Sequence, residues 1–197
     1  MKKKIRLDAD GWMTDGCCRS SPHFNDRPED VVVSLIVMHF ISLPAGVFDG
    51  EDVDDLFLGR LNCDKRKDYA GLKNLRVSSH FVIRRSGEIR QYVSTEKRAW
   101  HAGVSVFEGR PGCNDYSVGI EMEGTGDVDF EEKQYESLAV LLKAVCARYP
   151  IEAVTGHEFI APGRKKDPGP HFDWTRLRPM LAESVRLVTD SRGRPVV

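Results

Sequence analysis

The run Val31–Phe40, VVVSLIVMHF, decides the fold class. Nearly every residue in it is apolar and half are β-branched, with no alternation that would leave one face to water. That pattern predicts a central strand buried on both faces, which requires a sheet covered on both sides. The run carries His39, a polar group on a buried strand. By base rate a lone histidine in such a place is a hydrogen-bonded core residue, so on its own it identifies no function.

Working outward, ISLPAGVFDG (41–50) reads as a loop, and a turn or two of helix is expected over Asp54–Leu61. Residues 62–78 are polar and irregular. Ser79–Val93, SHFVIRRSGEIRQYV, predicts a hairpin turning at Ser86-Gly87. Tyr116–Glu123, YSVGIEME, alternates, with Val118, Ile120 and Met122 on one face and Gly119, Glu121 and Glu123 on the other. Phe130–Tyr149 predicts the principal helix, because Tyr135, Leu138, Leu141, Leu142, Val145 and Tyr149 form a single stripe. Asp129 is its expected N-cap and Pro150 its stop. A short strand is expected over Ile151–Thr155, then a last helix of about a dozen residues capped by Asp173. Residues 1–30 read as a coil packed on the domain, and the tail SRGRPVV as loose. Strands and helices in mixed order, with one hairpin, give an α/β fold: a single domain over 1–197 with a central mixed β-sheet flanked by helices.

Composition removes several function classes. The 197 residues carry a formal net charge of −1, which gives no basic field for nucleic acid or anionic lipid. No run of 18 apolar residues exists, so no membrane span is expected. The basic start MKKKIR is followed by LDADGWMTDG rather than an apolar run, so a signal peptide is not expected. The five cysteines are odd in number and lack a CxxC pair. Together these features predict a protein of the reducing cytoplasm. The adjacent Cys17-Cys18 is a weak metal or redox candidate, since no matching pair exists elsewhere. Nothing in the sequence calls for an obligate dimer, and a monomer is expected.

The chemistry concentrates in Gly156–Pro170, GHEFIAPGRKKDPGP. A surface turn would account for its glycines, prolines and charges. It also sets His157 and Asp167 on the two sides of a stiff, basic loop. A catalytic zinc takes three protein ligands from His, Asp or Glu and keeps a fourth position open. Strand ends of one sheet edge could bring His39, His157 and Asp167 together, although without an HExxH motif the spacing alone is a weak signal. Glu121, set among apolar residues, suits a general base of raised pKa. Glu123 lies on the same strand face, and spacing does not choose between them; solvated surface carboxylates are the plain alternative for both. One of Lys165 and Lys166 could stabilise an oxyanion. His23, His80, His101 and His171 read mostly as structural or surface residues, with His101 beside Trp100 a candidate pocket liner.

MHFISLPAG, LRVSSHFVIRRSGEIRQYV, RAWHAGVS, CNDYSVGIEMEG and TGHEFIAPGRKKDPGPHFDW, in unbroken order over about residues 8–185, resemble the zinc-dependent N-acetylmuramoyl-L-alanine amidases. Among these the chain is most similar to the cytosolic branch of cell-wall recycling, which acts on 1,6-anhydro-N-acetylmuramoyl peptides. The resemblance implies the amidase type 2 fold, shared with peptidoglycan-recognition proteins. It implies one zinc ion held by His39, His157 and Asp167, with Glu121 as proton acceptor and Lys165 as transition-state stabiliser. Arg76, Ala99 and Trp100 match positions lining the family's substrate groove. Phe40 stands where the family usually has Asn, and Gly112 where it often has Arg, so fine specificity is expected to differ. The implied reaction is hydrolysis of the amide between the lactyl group of muramic acid and L-alanine. The rival expectations are a peptidoglycan-binding module without chemistry and a lysin acting on intact peptidoglycan. The first is disfavoured because every ligand position is filled.

Overall fold

A computed structural model describes residues 5–189. The strands in chain order are β1 (Cys17–Cys18), β2 (Phe24–Asp26), β3 (Leu35–Ile41), β4 (Phe81–Ile83), β5 (Ile89–Gln91), β6 (Lys97–Ala99), β7 (Val106–Phe107), β8 (Arg110–Pro111), β9 (Ser117–Glu123), β10 (Ala153–Gly156) and β11 (Arg186–Val188). The α-helices are α1 (Asp52–Phe57), α2 (Glu132–Arg148) and the single turn α3 (His157–Ile160). Seven strands form one sheet in the order β1-β5-β4-β9-β3-β10-β11. All its pairings are parallel except the β4–β5 hairpin. The expected mixed sheet is therefore present, and the expected buried strand β3 is an interior strand of it, between β9 and β10.

The strand begins four residues later than the run VVVSLIVMHF suggests. Val31–Ser34 precede the ladder, and Val32 is exposed. Within β3 and β9 the alternation separates two environments. Ile36, Met38, Val118, Ile120 and Met122 join Tyr135, Leu138, Leu141, Leu142 and Val145 of α2 in the main core. Each such large side chain contributes about 1.5–3 kcal/mol by leaving water. Leu35 and Val37 face the other way, into a smaller cluster with Ala102, Cys113, Tyr116 and Ile160. The site is built on this second face.

Two helix expectations are corrected, the N-cap of α2 and the last helix. The N-cap of α2 is Glu131, not Asp129. Glu131 and Gln134 form a reciprocal capping box, and the Gln134 side chain also donates to the carbonyls of Ile83 and Glu123. Asp129 instead pairs with His171 at 2.6 Å. The last helix is absent. Asp173 caps only a 3₁₀ turn, Trp174–Arg176, and a second turn, Arg178–Met180, contains Pro179, which has no N–H to continue a helical ladder. The chain then forms β11, an edge strand that the sequence reading missed, with Arg186 exposed and Leu187 and Val188 buried. The tail SRGRPVV lies outside the described residues.

The segment expected as an N-terminal coil contributes the short strands β1 and β2, and Arg27 adds a further anchor. Arg27 donates to the carbonyls of Thr95, Asn114, Asp115 and Ser117 at 2.7–3.1 Å. Four backbone acceptors from two distant segments thereby find a donor, which a buried carbonyl requires.

Candidate metal centre

Register assembles the site. In the parallel β3–β9 ladder His39 lies opposite Glu121. On the other side Gly156 lies opposite Met38, so the next residue, His157, emerges beside His39 as β10 turns into α3. Asp167 returns at the end of the loop that follows. Its carbonyl accepts from the Glu158 N–H at 2.8 Å, and Glu158 Oε1 accepts from the Gly169 N–H at 3.3 Å. These bonds clamp the two ends of the loop together. Pro168 is buried and packs where a side chain on Gly156 would otherwise stand, 2.7 Å from an ideal Cβ there.

The result is a triangle of donor atoms. His39 Nδ1 lies 3.0 Å from His157 Nδ1 and 2.8 Å from Asp167 Oδ2, and His157 Nδ1 lies 3.0 Å from Asp167 Oδ2. Among the described residues these three form the grouping able to hold a metal ion. Their fit is chemical as well as geometric. His157 Nε2 faces the Ala102 carbonyl at 3.0 Å, and a carbonyl only accepts, so the proton of a neutral His157 sits on Nε2. Its Nδ1 is then a lone pair aimed at a carboxylate and a second imidazole, an arrangement that a cation relieves. The edges are slightly shorter than the roughly 3.3 Å separating ligands that lie 2.0–2.1 Å from a tetrahedral zinc.

Electrostatics favour the ligating forms. Burial pushes His39 down to about 4, against the pull of Asp167, so its imidazole is neutral at neutral pH. Burial would raise the Asp167 carboxyl, but the imidazoles of His157 and His39 beside it outweigh it and hold the group well below the usual carboxylate range. Glu121 behaves in the opposite sense. Burial, reinforced by the charge of Asp167 and partly offset by Lys165, raises it well above the ordinary glutamate value. Glu121 Oε1 stands 4.0 Å from His39 Nδ1, while Oε2 is buried without a hydrogen-bond partner among the described residues. A buried carboxylate oxygen left unpaired is costly, and it is reactive toward whatever proton enters the site.

Residues 28–170 match the family model for N-acetylmuramoyl-L-alanine amidases. The chain belongs to the N-acetylmuramoyl-L-alanine amidase family. It is 49% identical over 177 residues to the 1,6-anhydro-N-acetylmuramyl-L-alanine amidase AmpD of Citrobacter freundii, covering 89% of this chain and 95% of that one. The crystal structure of a selenomethionine derivative of AmpD superposes with a TM-score of 0.86 at 49% identity, over 89% of this chain and 99% of that one. The amidase AmiD of Escherichia coli, in complex with anhydro-N-acetylmuramic acid-L-Ala-D-γ-Glu-L-Lys, is 30% identical with a TM-score of 0.56, over 89% of this chain and 65% of that one.

Of the other residues singled out in the sequence, Lys165 is exposed on the loop, and its charge is felt at both His39 and Glu121. Lys166 is exposed beside it. Glu123 is no solvated carboxylate. It is buried, accepts from the Asp49 and Arg85 N–H groups at 3.0 and 2.9 Å, and pairs with Arg84 at 3.4 Å. Trp100 is half-buried, stacks on His23 with ring centroids 6.2 Å apart, and donates to Asn25 Oδ1 at 2.7 Å. Arg76 is exposed and lines a small cavity with His23. Ala99 is fully buried on β6, packed with Val82 and Tyr92, so its side chain presents no surface for a ligand.

The two positions that depart from the family pattern have local explanations. Phe40 lies toward the main core and walls an open groove of about 600 Å³ with Ser42, Thr125 and Asp127. Gly112 holds φ 72°, ψ 47°, a left-handed corner that costs a side-chain-bearing residue about 1–2 kcal/mol. Cys17 and Cys18 carry free thiols, and their backbone pairs with β5 at the sheet edge. No helix among the described residues is long and apolar enough to cross a membrane.

Sequence reasoning underrated His101. Its ring is buried against His39, with centroids 5.0 Å apart at 86°. The available signal lay in Gly119, which leaves room for that ring on β9.

Proposed function

We propose that this chain is a zinc-dependent N-acetylmuramoyl-L-alanine amidase that hydrolyses the amide between the lactyl group of 1,6-anhydro-N-acetylmuramic acid and L-alanine. The observation that carries the reading is a three-ligand cluster with a buried, partner-poor carboxylate opposite it in the β3–β9 register. His39, His157 and Asp167 would hold the ion. When bound, zinc supplies a Lewis acid for the amide carbonyl and lowers the pKa of a water, to about 7 in well-studied zinc enzymes. Glu121 takes the proton of the attacking water, a role its raised affinity for protons suits. It returns that proton to the departing amine of L-alanine, which cannot leave as an anion. Lys165 places an exposed ammonium close enough to influence both Glu121 and His39, and it offsets charge as the carbonyl oxygen gains it.

The relatives named above support the substrate. AmpD is named for the 1,6-anhydro sugar, and AmiD was solved with an anhydromuramoyl peptide bound. Arg76 and Trp100 are proposed to contact that ligand, with the groove beside Phe40 modulating its fit. A soluble muropeptide substrate accords with a monomer working in the cytoplasm, in cell-wall recycling.

Metal analysis combined with turnover tests the reading. Purified protein is expected to carry about one zinc and to cleave a soluble 1,6-anhydromuropeptide in preference to intact sacculi. His157→Ala is expected to lose both zinc and turnover, because two remaining ligands hold a catalytic ion poorly. Full activity after exhaustive chelation overturns the zinc assignment, and preference for sacculi overturns the substrate.

A further inference from the structure

We propose that His101 is a positioning residue for the metal centre: buried against His39, it accepts the His39 Nε2–H and passes its own Nε2–H to Ser117, so that His39 presents Nδ1 as a lone pair. This rests on the metal assignment above.

The hydrogen bonds can be followed from a fixed end. Ser117 Oγ donates to the Cys113 carbonyl at 2.6 Å, and a carbonyl has no proton to give. The single hydroxyl proton is therefore committed. His101 Nε2 lies 3.2 Å from the same oxygen, so it must be the donor there. A neutral His101 with its proton on Nε2 has Nδ1 as an acceptor. His39 Nε2 lies 2.9 Å from that Nδ1 and must carry the hydrogen between them. A neutral His39 so protonated has an unprotonated Nδ1, the atom that points at His157 and Asp167. A backbone carbonyl four residues before Ser117 thus dictates which nitrogen of His39 is free, through two side chains. His157 reaches the same state directly, through the Ala102 carbonyl.

The ring of His101 is held on every side. The Asn114 side-chain oxygen accepts from the N–H groups of His101 and Ala102 at 3.1 and 2.8 Å, fixing the backbone on either side of the ring's attachment. Beneath the ring lies Gly119, where a Cβ would stand 2.5 Å from the imidazole. Contacts under 3 Å force a displacement, so the absence of a side chain at 119 is what lets the ring reach His39. Ligand histidines in metalloproteins are commonly oriented by a carboxylate, a carbonyl or water. A neutral imidazole in that role adds no charge, leaving Asp167 as the one anion in the ligand set and the ion more electrophilic than a second carboxylate would.

The test compares zinc affinity, measured by competition with a chromophoric chelator, and the d–d absorption spectrum of the cobalt(II)-substituted protein. His101→Leu keeps bulk and removes the acceptor. It is expected to weaken zinc binding by about 10–100-fold, the usual scale for losing an orienting partner, to alter the cobalt spectrum, and to lower kcat while KM holds. His101→Asn, whose Oδ1 can stand near the position of Nδ1, is expected to recover most of that loss. Ser117→Ala leaves the ring in place but frees its proton, and a smaller loss of about tenfold is expected. The proposal is overturned if folded His101→Leu matches the parent in zinc affinity and cobalt spectrum, or if Asn is no better than Leu. Should His101→Leu fail to fold, Ser117→Ala decides, and unchanged zinc affinity there is equally fatal. A parent that binds no zinc overturns the metal assignment itself.

Discussion

Glu121 and Glu123 stand two residues apart on one face of one strand, both buried, and they have opposite fates. Glu123 is saturated, with two backbone N–H groups and the Arg84 guanidinium satisfying its oxygens. Glu121 is starved. Among the described residues its nearest cationic candidate is a neutral imidazole 4.0 Å away, and one of its oxygens has no hydrogen-bond partner. A carboxylate whose charge is fully compensated serves the fold. One whose charge is uncompensated seeks a proton and, in the proposed mechanism, serves chemistry. The same residue type is made structural or reactive by what the neighbouring segments deliver to it.

The strongest way to break this contrast is to remove the reactive group while keeping its shape. Glu121→Gln is expected to retain zinc while its turnover falls by about 100-fold or more, the usual scale for loss of a general acid–base group. Rates measured at matched metal content check this, and normal turnover would move the base elsewhere. The complementary change is Glu123→Ala, which leaves Arg84 uncompensated at that contact. Arg84 keeps Asp54 at 3.4 Å, so the cost is chiefly that of the Asp49 and Arg85 N–H groups losing their acceptor, about 1–3 kcal/mol, and denaturant unfolding should shift to lower concentration. The milder Glu123→Gln should keep turnover per folded molecule close to the parent's. If Glu123→Gln is instead inactive while well folded, the two roles have been assigned the wrong way round.

The smallest effect sharpens the comparison through pH. The folded-state pKa of Glu121 lies above its unfolded value, so the fold favours the protonated form. Its stabilising contribution is complete below the ordinary glutamate pKa and is lost as pH rises from there through the raised value. Metal-free protein at pH 7 therefore carries a cost that Glu121→Gln removes. The variant should be more stable by about 1–3 kcal/mol, the scale for a buried unsatisfied polar group, and the gap should close near pH 4. Thermal melts of the metal-free proteins across that range check it. A gap that persists at pH 4 assigns the effect to packing rather than ionisation.

These contrasts also mark what the sequence made legible. The apolar run around β3, the alternation of β9 and the stripe of α2 are local patterns, and all three elements formed. The loop with His157 and Asp167 was conspicuous because stiffness and charge coincide there. What local pattern could not reveal was decided at a distance. Glu123 looked like Glu121 because Arg84 and the Asp49 N–H reach it from other segments. Arg27 looked like a coil residue, yet its acceptors lie 68 to 90 residues away. His101 read as a candidate pocket liner, and only the fold set its ring over Gly119 against His39. The missing C-terminal helix failed for a local reason, Pro179, that a stricter reading of the same segment contains.

The arrangement of β3 between β9 and β10 carries a consequence for how the protein is made. His39 enters the metal cluster with Asp167, 128 residues later in the chain. The central ladder therefore cannot close while the ribosome is still extending the chain through β10, and contacts of such long range are reached slowly. Any partly folded species that lacks β10 also lacks two of the three ligands. Filling of the proposed zinc site is then a late event in biogenesis, one that follows the docking of β10 on β3 and needs β11 only afterwards.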